Sequence, residues 1–105
     1  MSQPDPLYAL EKLSEAVHEL VVGAGRVQER LGEAAIYLIR IRSENMPEEA
    51  LRRALVAIKD DLSFDEPKGT EGRIAATLGK TNDADASAIA LRIFDLYRDL
   101  DQKLK

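Results

Sequence analysis

Apolar and polar residues recur with helical spacing along most of the chain, and the apolar density peaks at residues 34–39, which read Ala-Ala-Ile-Tyr-Leu-Ile. An ordinary surface helix has one apolar stripe and one polar face. A helix that is apolar around most of its circumference must be covered on several sides. The pattern therefore favours a helical bundle that associates with itself. The alternative is that this helix is the most buried member of a single-chain bundle.

The first forty residues contain apolar side chains at an alternating spacing of three and four, which indicates helix. These positions are 10, 13, 17, 20, 24, 27, 31, 34, 38 and 41. One unbroken helix over 7–42 would be about 55 Å long, against a diameter of about 33 Å for a compact chain of this size. Gly23 and Gly25 weaken a helix interior, and Gly23 can adopt the left-handed conformation that ends a helix. The sequence favours a break here and predicts helices at 7–22 and 26–42, whereas an unbroken helix would need a partner chain along its overhang.

Three further helices follow from local signals. Pro47 suits the first position of a helix over 47–62. The acidic residues that follow it favour the positive end of the helix dipole. Loop-forming residues then lead to Thr70, a candidate cap for a short helix at 71–78 that Gly79 would end. The last predicted helix covers 83–104, with an acidic first turn and lysines at its end. We predict an all-α fold in which residues 1–105 form a single four-helix-bundle-like domain with one additional short helix, after a leader at 1–6.

Composition narrows the class of protein. The chain has 105 residues, 45% of them hydrophobic and 32% charged, which is typical of one globular domain. It contains no Cys, so disulfides and thiolate metal sites are excluded. No run of apolar residues approaches the roughly 18–20 of a transmembrane helix, and the leader lacks the features of a signal peptide. We therefore expect a cytoplasmic protein that makes no membrane contact.

The charge distribution argues against a nucleic-acid partner. The net charge is −4, and no segment is strongly basic. Nucleic acid is therefore not expected as a partner. The second alternative function is a regulator that contacts nucleic acid weakly through residues 73–98.

Four motifs match part of a metal, phosphate or dinucleotide site and lack a residue that the site requires. They are Glu15-x-x-His18, Gly23-Ala24-Gly25, Gly79-Lys80-Thr81 and Asp83-x-Asp85-x-Ser87. The chain has one His, whereas a di-iron bundle needs two Glu-x-x-His helices. Gln28, Ile74 and Ala88 stand where the other three motifs need glycine. We predict no catalytic residues, no cofactor and no metal site.

The favoured function is a non-enzymatic helical protein that acts through protein contacts in an unknown pathway. We expect a homodimer through the second helix, and an unknown protein partner is also compatible with the pattern. Small residues such as Ala34 allow a close approach of helices, and larger apolar residues supply contact area. The candidate interface residues are Ala35, Ile36, Tyr37, Ile39 and Met46.

The first alternative is a small bundle that binds an anionic metabolite, with or without catalysis. Its candidate anion site is Gly25, Arg26 and Arg30, because the free amides at a helix start attract anions. Arginines from several helices would gather around the ligand: Arg26, Arg30, Arg40, Arg52 and Arg53. Whether these guanidinium groups meet in one cavity decides between the two functions.

Overall fold

The computed structural model describes residues 5–62 and 70–105, with side chains from 74 onward in the second segment. These residues form five α-helices and one 3₁₀ turn, and they contain no strand. The helices are α1 (Pro6–Val22), α2 (Val27–Leu38), α3 (Glu49–Asp61), α4 (Thr70–Gly79) and α5 (Asp83–Lys103). The predicted all-α fold is confirmed. Most of the predicted leader lies outside the described residues.

The break between the first two helices is confirmed, but the roles of its glycines differ from the prediction. Gly25 carries the positive φ, at 93°, whereas Gly23 has an extended conformation with φ −63° and ψ 152°. The Gly23 N–H donates to the Glu19 carbonyl oxygen at 2.9 Å, which is the last hydrogen bond of α1. Gly25 then reverses the chain in the left-handed region, which glycine enters without steric cost. As a result α1 and α2 form a helical hairpin.

Helix α2 lies inside the bundle, because it packs against α1, α4 and α5. Ala34, Ala35 and Leu38 are fully buried, as is Leu31 one turn earlier. Helix α1 also packs on α5, while α3 packs on α5 and the 3₁₀ turn. The apolar width of residues 34–39 therefore follows largely from a central position within one chain.

Helix α2 ends four residues earlier than predicted, at Leu38 rather than Arg42. The Arg40 and Ile41 amides donate to the carbonyls of Tyr37 and Leu38, so the last turn tightens to 3₁₀ geometry. A separate 3₁₀ turn, Ser43–Asn45, follows. Asn45 stabilises this turn, since its side chain accepts from the Arg42 N–H at 2.9 Å and donates to the Asp5 carbonyl at 3.2 Å. Short polar side chains that bond to the backbone in this way compete with helix continuation.

Helix α3 begins at Glu49, so the prediction of Pro47 as its first residue is wrong. Met46, which precedes the proline, is extended, as proline requires of its neighbour. The Met46 side chain is buried, and its carbonyl accepts from Arg52 Nε at 3.0 Å. These two contacts hold Met46 in place, Glu48 is extended as the N-cap residue, and the helix starts only after it.

The last two helices lie close to the predicted positions. Thr70, expected as a cap, is the first residue of α4, and Gly79, expected just beyond it, is its last. Helix α5 starts at Asp83 as predicted, and the Asn82 side chain caps it by accepting from the Asp85 N–H at 2.7 Å. It ends one residue earlier than predicted, at Lys103.

Candidate protein-interaction surface

One sector of α2 remains exposed although the helix is central. Within the helix its exposed residues are Glu29, Glu33 and Ile36, and the exposed Ile39 and Arg40 follow in the turn after Leu38; we call the five residues the outer α2 surface. Glu29, Glu33 and Ile36 are spaced by four and three residues, which places them on neighbouring rows of one helix face. Ile36 is 40% exposed and Ile39 is 36% exposed. This sector therefore presents apolar side chains to solvent among charged ones.

An apolar depression lies beside this sector, between α2 and α4. It has a volume of about 160 Å³ and is lined by Gly32, Ile36, Ile39, Ile74 and Ala75. Gly32 contributes no side chain, and a Cβ atom built there would lie 3.7 Å from the Leu78 Cδ1 atom of α4. The missing side chain and the small Ala75 leave the depression open next to two partly exposed isoleucines.

The predicted interface residues separate into surface and core. Ile36 and Ile39 are exposed as an interface requires, and Tyr37 is half-buried with its ring centroid 6.0 Å from the Lys12 Nζ atom of α1. Ala35 and Met46 are only 0% and 1% exposed, so this fold leaves them no surface to offer a partner. They are core residues, because α2 faces three other helices and Met46 anchors the segment before α3.

The charged residues of the outer α2 surface differ in whether they have a partner within the described part of the chain. Glu29 accepts a hydrogen bond from the Arg26 backbone N–H at 3.2 Å, as the reciprocal half of a capping box does. Glu33 and Arg40 form no ion pair with any described residue, and both are exposed. Two unpaired charges of opposite sign therefore lie on either side of Ile36.

The predicted anion site at Gly25, Arg26 and Arg30 is not assembled. Arg26 pairs with Asp83 at 2.8 Å, and Arg30 Nη1 donates to the Leu20 carbonyl at 2.9 Å. The Glu29 carboxylate stands next to Gly25, within 2.9 Å of where a Cβ atom would be. Carboxylates of the chain itself take the place of an external anion at this helix start, because Glu29 accepts from a backbone amide there and Asp83 accepts from the Arg26 guanidinium.

The remaining arginines do not join Arg26 in one cavity. Arg52 and Arg53 line a shallow depression on α3, where Arg53 pairs with Glu49 at 3.8 Å. Arg26 lines a different cavity, between α2 and α4. Among the described residues, Arg26 thus lies in one cavity and Arg52 and Arg53 lie in another. This separation removes the support for one anionic ligand shared by all of them.

A polar cluster that the sequence did not reveal joins the start of α2 to the start of α5. The Gln28 side chain is 9% exposed, and its Nε2 donates to the Thr81 carbonyl at 3.0 Å and to Asp83 Oδ1 at 2.7 Å. The hydrogen bonds from Gln28 and Arg26 to the Asp83 carboxylate lower the pKa of Asp83. Gln28 also lines a cavity of about 380 Å³, which shares Gly32 and Ala75 with the apolar depression. The cluster positions the start of α5 against the start of α2, beside this cavity.

Because of this cluster, we expect the difference in the free energy of unfolding between wild type and Asp83→Asn to depend on pH. The substitution removes the charge but keeps an oxygen that can accept from Gln28. Because the folded-state pKa lies below the ordinary 3.8, the extra stability of the charged form is present above about pH 5 and is lost as the pH falls through the folded-state pKa. Urea unfolding of both proteins between about pH 3 and 7 measures the difference. A difference that stays constant with pH would contradict the role given to the Asp83 charge.

The described part of the chain shows neither a metal-ligand cluster nor a membrane-spanning helix. No group of three His, Cys, Asp or Glu side chains there is arranged to hold a metal ion. No helix among residues 5–62 and 70–105 is long and apolar enough to cross a membrane. Comparison of the chain with known protein families, curated proteins and solved structures finds no match.

Proposed function

We propose that the protein is a non-enzymatic interaction protein that self-associates through the outer α2 surface. The observation that carries this proposal is the pair Ile36 and Ile39, which lie partly exposed next to an apolar depression. Isolated exposed apolar residues are common on soluble proteins, but contiguous ones beside an apolar depression are typical of binding surfaces.

A second copy of the same chain is the partner that requires the fewest assumptions. A two-fold interface uses the same patch on both subunits, so one surface has to be complementary only to itself. Gly32 and Ala75 are small enough to let another helix approach α2 and α4 closely. Association would cover the solvent-exposed parts of both isoleucines.

Ile36→Glu tests the proposal. In a two-fold interface, the substitution places one carboxylate from each subunit in an apolar contact, where burying an unpaired charge is costly. We expect a wild-type dimer at tens of micromolar protein, and a dissociation constant raised by at least about tenfold in the variant, which corresponds to about 1.4 kcal/mol. Sedimentation equilibrium measures both constants.

Val56→Glu is the matched control, because Val56 is 43% exposed on α3 and contributes nothing to the outer α2 surface. It should dimerise like wild type. Circular dichroism of both variants verifies that they remain helical. A monomeric wild type, or an Ile36→Glu protein that is folded and still fully dimeric, would rule out self-association through this surface.

A further inference from the structure

We infer that the two copies pack with their α2 helices antiparallel, with Ile36 at the two-fold axis and Arg40 of each copy paired with Glu33 of the partner subunit. The inference rests on the proposed self-association and specifies its geometry. Three exposed side chains on α2 and on the turn that follows it support this geometry, together with the rules of two-fold symmetry.

Charges of opposite sign flank Ile36. Glu33 precedes it by three residues in α2, and Arg40 follows it by four, in the 3₁₀ turn after Leu38. With about 100° per residue in the α-helix and about 120° in the 3₁₀ turn, both lie within about 60° of Ile36 around the helix axis. Both are exposed, and neither forms an ion pair within the described part of the chain. The stripe thus runs from an unpaired negative charge, over an apolar residue, to an unpaired positive charge.

The axial positions of these charges match in an antiparallel pair of helices. Glu33 lies about 4.5 Å from Ile36 along the α2 axis, and Arg40 lies about 6.5 Å from it in the other direction, because the rise per residue increases from about 1.5 Å to about 2 Å in the 3₁₀ turn after Leu38. When a second helix runs antiparallel with its own Ile36 at the same level, Glu33 of the partner subunit lies within about 2 Å of the level of Arg40. The two-fold axis generates the same pair again on the other side.

Other arrangements of the two helices pair these charges less well. Parallel helices in register would place Arg40 beside Arg40 of the partner subunit and Glu33 beside Glu33 of the partner subunit. Like charges brought together at an interface are unfavourable, and this repulsion selects against that orientation. An antiparallel pairing shifted by one turn would bring Arg40 to Glu29 of the partner subunit instead. Glu29 already accepts the Arg26 N–H at 3.2 Å, which makes it the poorer acceptor.

The centre of the interface has space for a second helix. Packed helices lie about 8–10 Å apart between axes, depending on the side chains at the contact, and small residues allow the closer approach. Gly32 lies one turn before Ile36, and the depression that both line also borders Ala75. Ile36 of the partner subunit can pack there beside Ile36 and Ile39, which covers the exposed apolar area of both copies.

A charge exchange tests the geometry. Glu33→Arg and Arg40→Glu each replace two attractive contacts in the dimer with two repulsive ones, whereas the double variant restores attraction with the signs exchanged. We expect each single variant to weaken dimerisation about threefold to tenfold, and the double variant to return to within about threefold of wild type. Sedimentation equilibrium at about 0.1 M salt measures the constants, since higher salt would screen the exposed charges. Circular dichroism verifies that every variant is folded.

The outcomes separate the geometry from the proposed function. Recovery in the double variant supports the antiparallel register. A dimeric wild type that Ile36→Glu dissociates, together with charge variants that leave the dissociation constant unchanged or a double variant no tighter than the single ones, would overturn the register and leave self-association in place. A monomeric wild type would overturn both.

Discussion

Replacing Leu38 with Ala should lower the free energy of unfolding by about 2–5 kcal/mol, because the Leu38 side chain is fully buried and its loss leaves a cavity. Ile36→Ala, two residues earlier, should cost less than about 1 kcal/mol. The Ile36 side chain is 40% exposed, and alanine is the better helix former. The contrast follows from α2 packing against three helices while one sector stays open.

Urea unfolding followed by circular dichroism measures both free energies of unfolding. The protein concentration should be low enough that no dimer forms, because association stabilises the folded state and would add to the apparent cost at Ile36. Equal costs for the two substitutions would contradict the central position of α2. A change in the urea dependence of the free energy would instead indicate an altered denatured state.

The helices could be predicted from the sequence because each carries its own local signals. Apolar spacing marked α1, α2 and α5, and Gly23 and Gly25 marked the break between the first two. The start of α3 was misplaced because the burial of Met46 in the core is a tertiary contact that the local pattern does not show. The bond from Arg52 to the Met46 carbonyl, six residues away, adds to it. Together these contacts override the preference of proline for a first helical position.

The neighbours of each helix could not be predicted in the same way. The run at 34–39 showed that α2 must be covered on several sides, but periodicity does not say whether the cover comes from the same chain. Ala35 faces the interior and Ile36 faces solvent, although both are apolar neighbours in the sequence. Only the packing of α1, α4 and α5 around α2 separates them.

The polar groups at the start of α2 were misjudged for a related reason. Free amides and arginines at a helix start indicate that an anion is favoured there. They do not indicate whether that anion is a bound ligand or a carboxylate of the same chain. The structure supplies Glu29 from the first turn and Asp83 from α5. Glu29 has the position of a capping-box residue, so its role at the helix start could have been recognised from the sequence. The contact between Gln28 and Asp83 spans 55 residues of sequence, and no local signal indicates it.

Among the glycines that the structure describes, those in the turn between α1 and α2 should be the most sensitive to an added methyl group. A Cβ atom at Gly23 would lie 2.5 Å from the Glu19 carbonyl oxygen, the same atom that accepts the Gly23 N–H. Because that oxygen belongs to the backbone of α1, Gly23→Ala must move the end of the helix or break its last hydrogen bond. We expect a loss of about 1–3 kcal/mol in the free energy of unfolding.

Gly25→Ala should be destabilising for a different reason. The φ of 93° at Gly25 lies in a region that L-residues rarely adopt, while the nearest atoms belong to the flexible Glu29 carboxylate, which can move away. The strain is therefore in the backbone, and we expect it to cost about 1–2 kcal/mol. The double variant should lose more than either single variant, since neither change relieves the other.

Gly79→Ala is the matched control for both substitutions. A Cβ atom at Gly79 would meet nothing within 4 Å, and the residue lies in α4 without a positive φ. Alanine there should raise the free energy of unfolding by up to about 1 kcal/mol, because it forms helix better than glycine. Urea unfolding of the three variants should thus give losses at Gly23 and Gly25 and a gain at Gly79. The same chemical change with opposite signs can arise only from local geometry, and equal shifts at all three glycines would show that the turn does not have the conformation described.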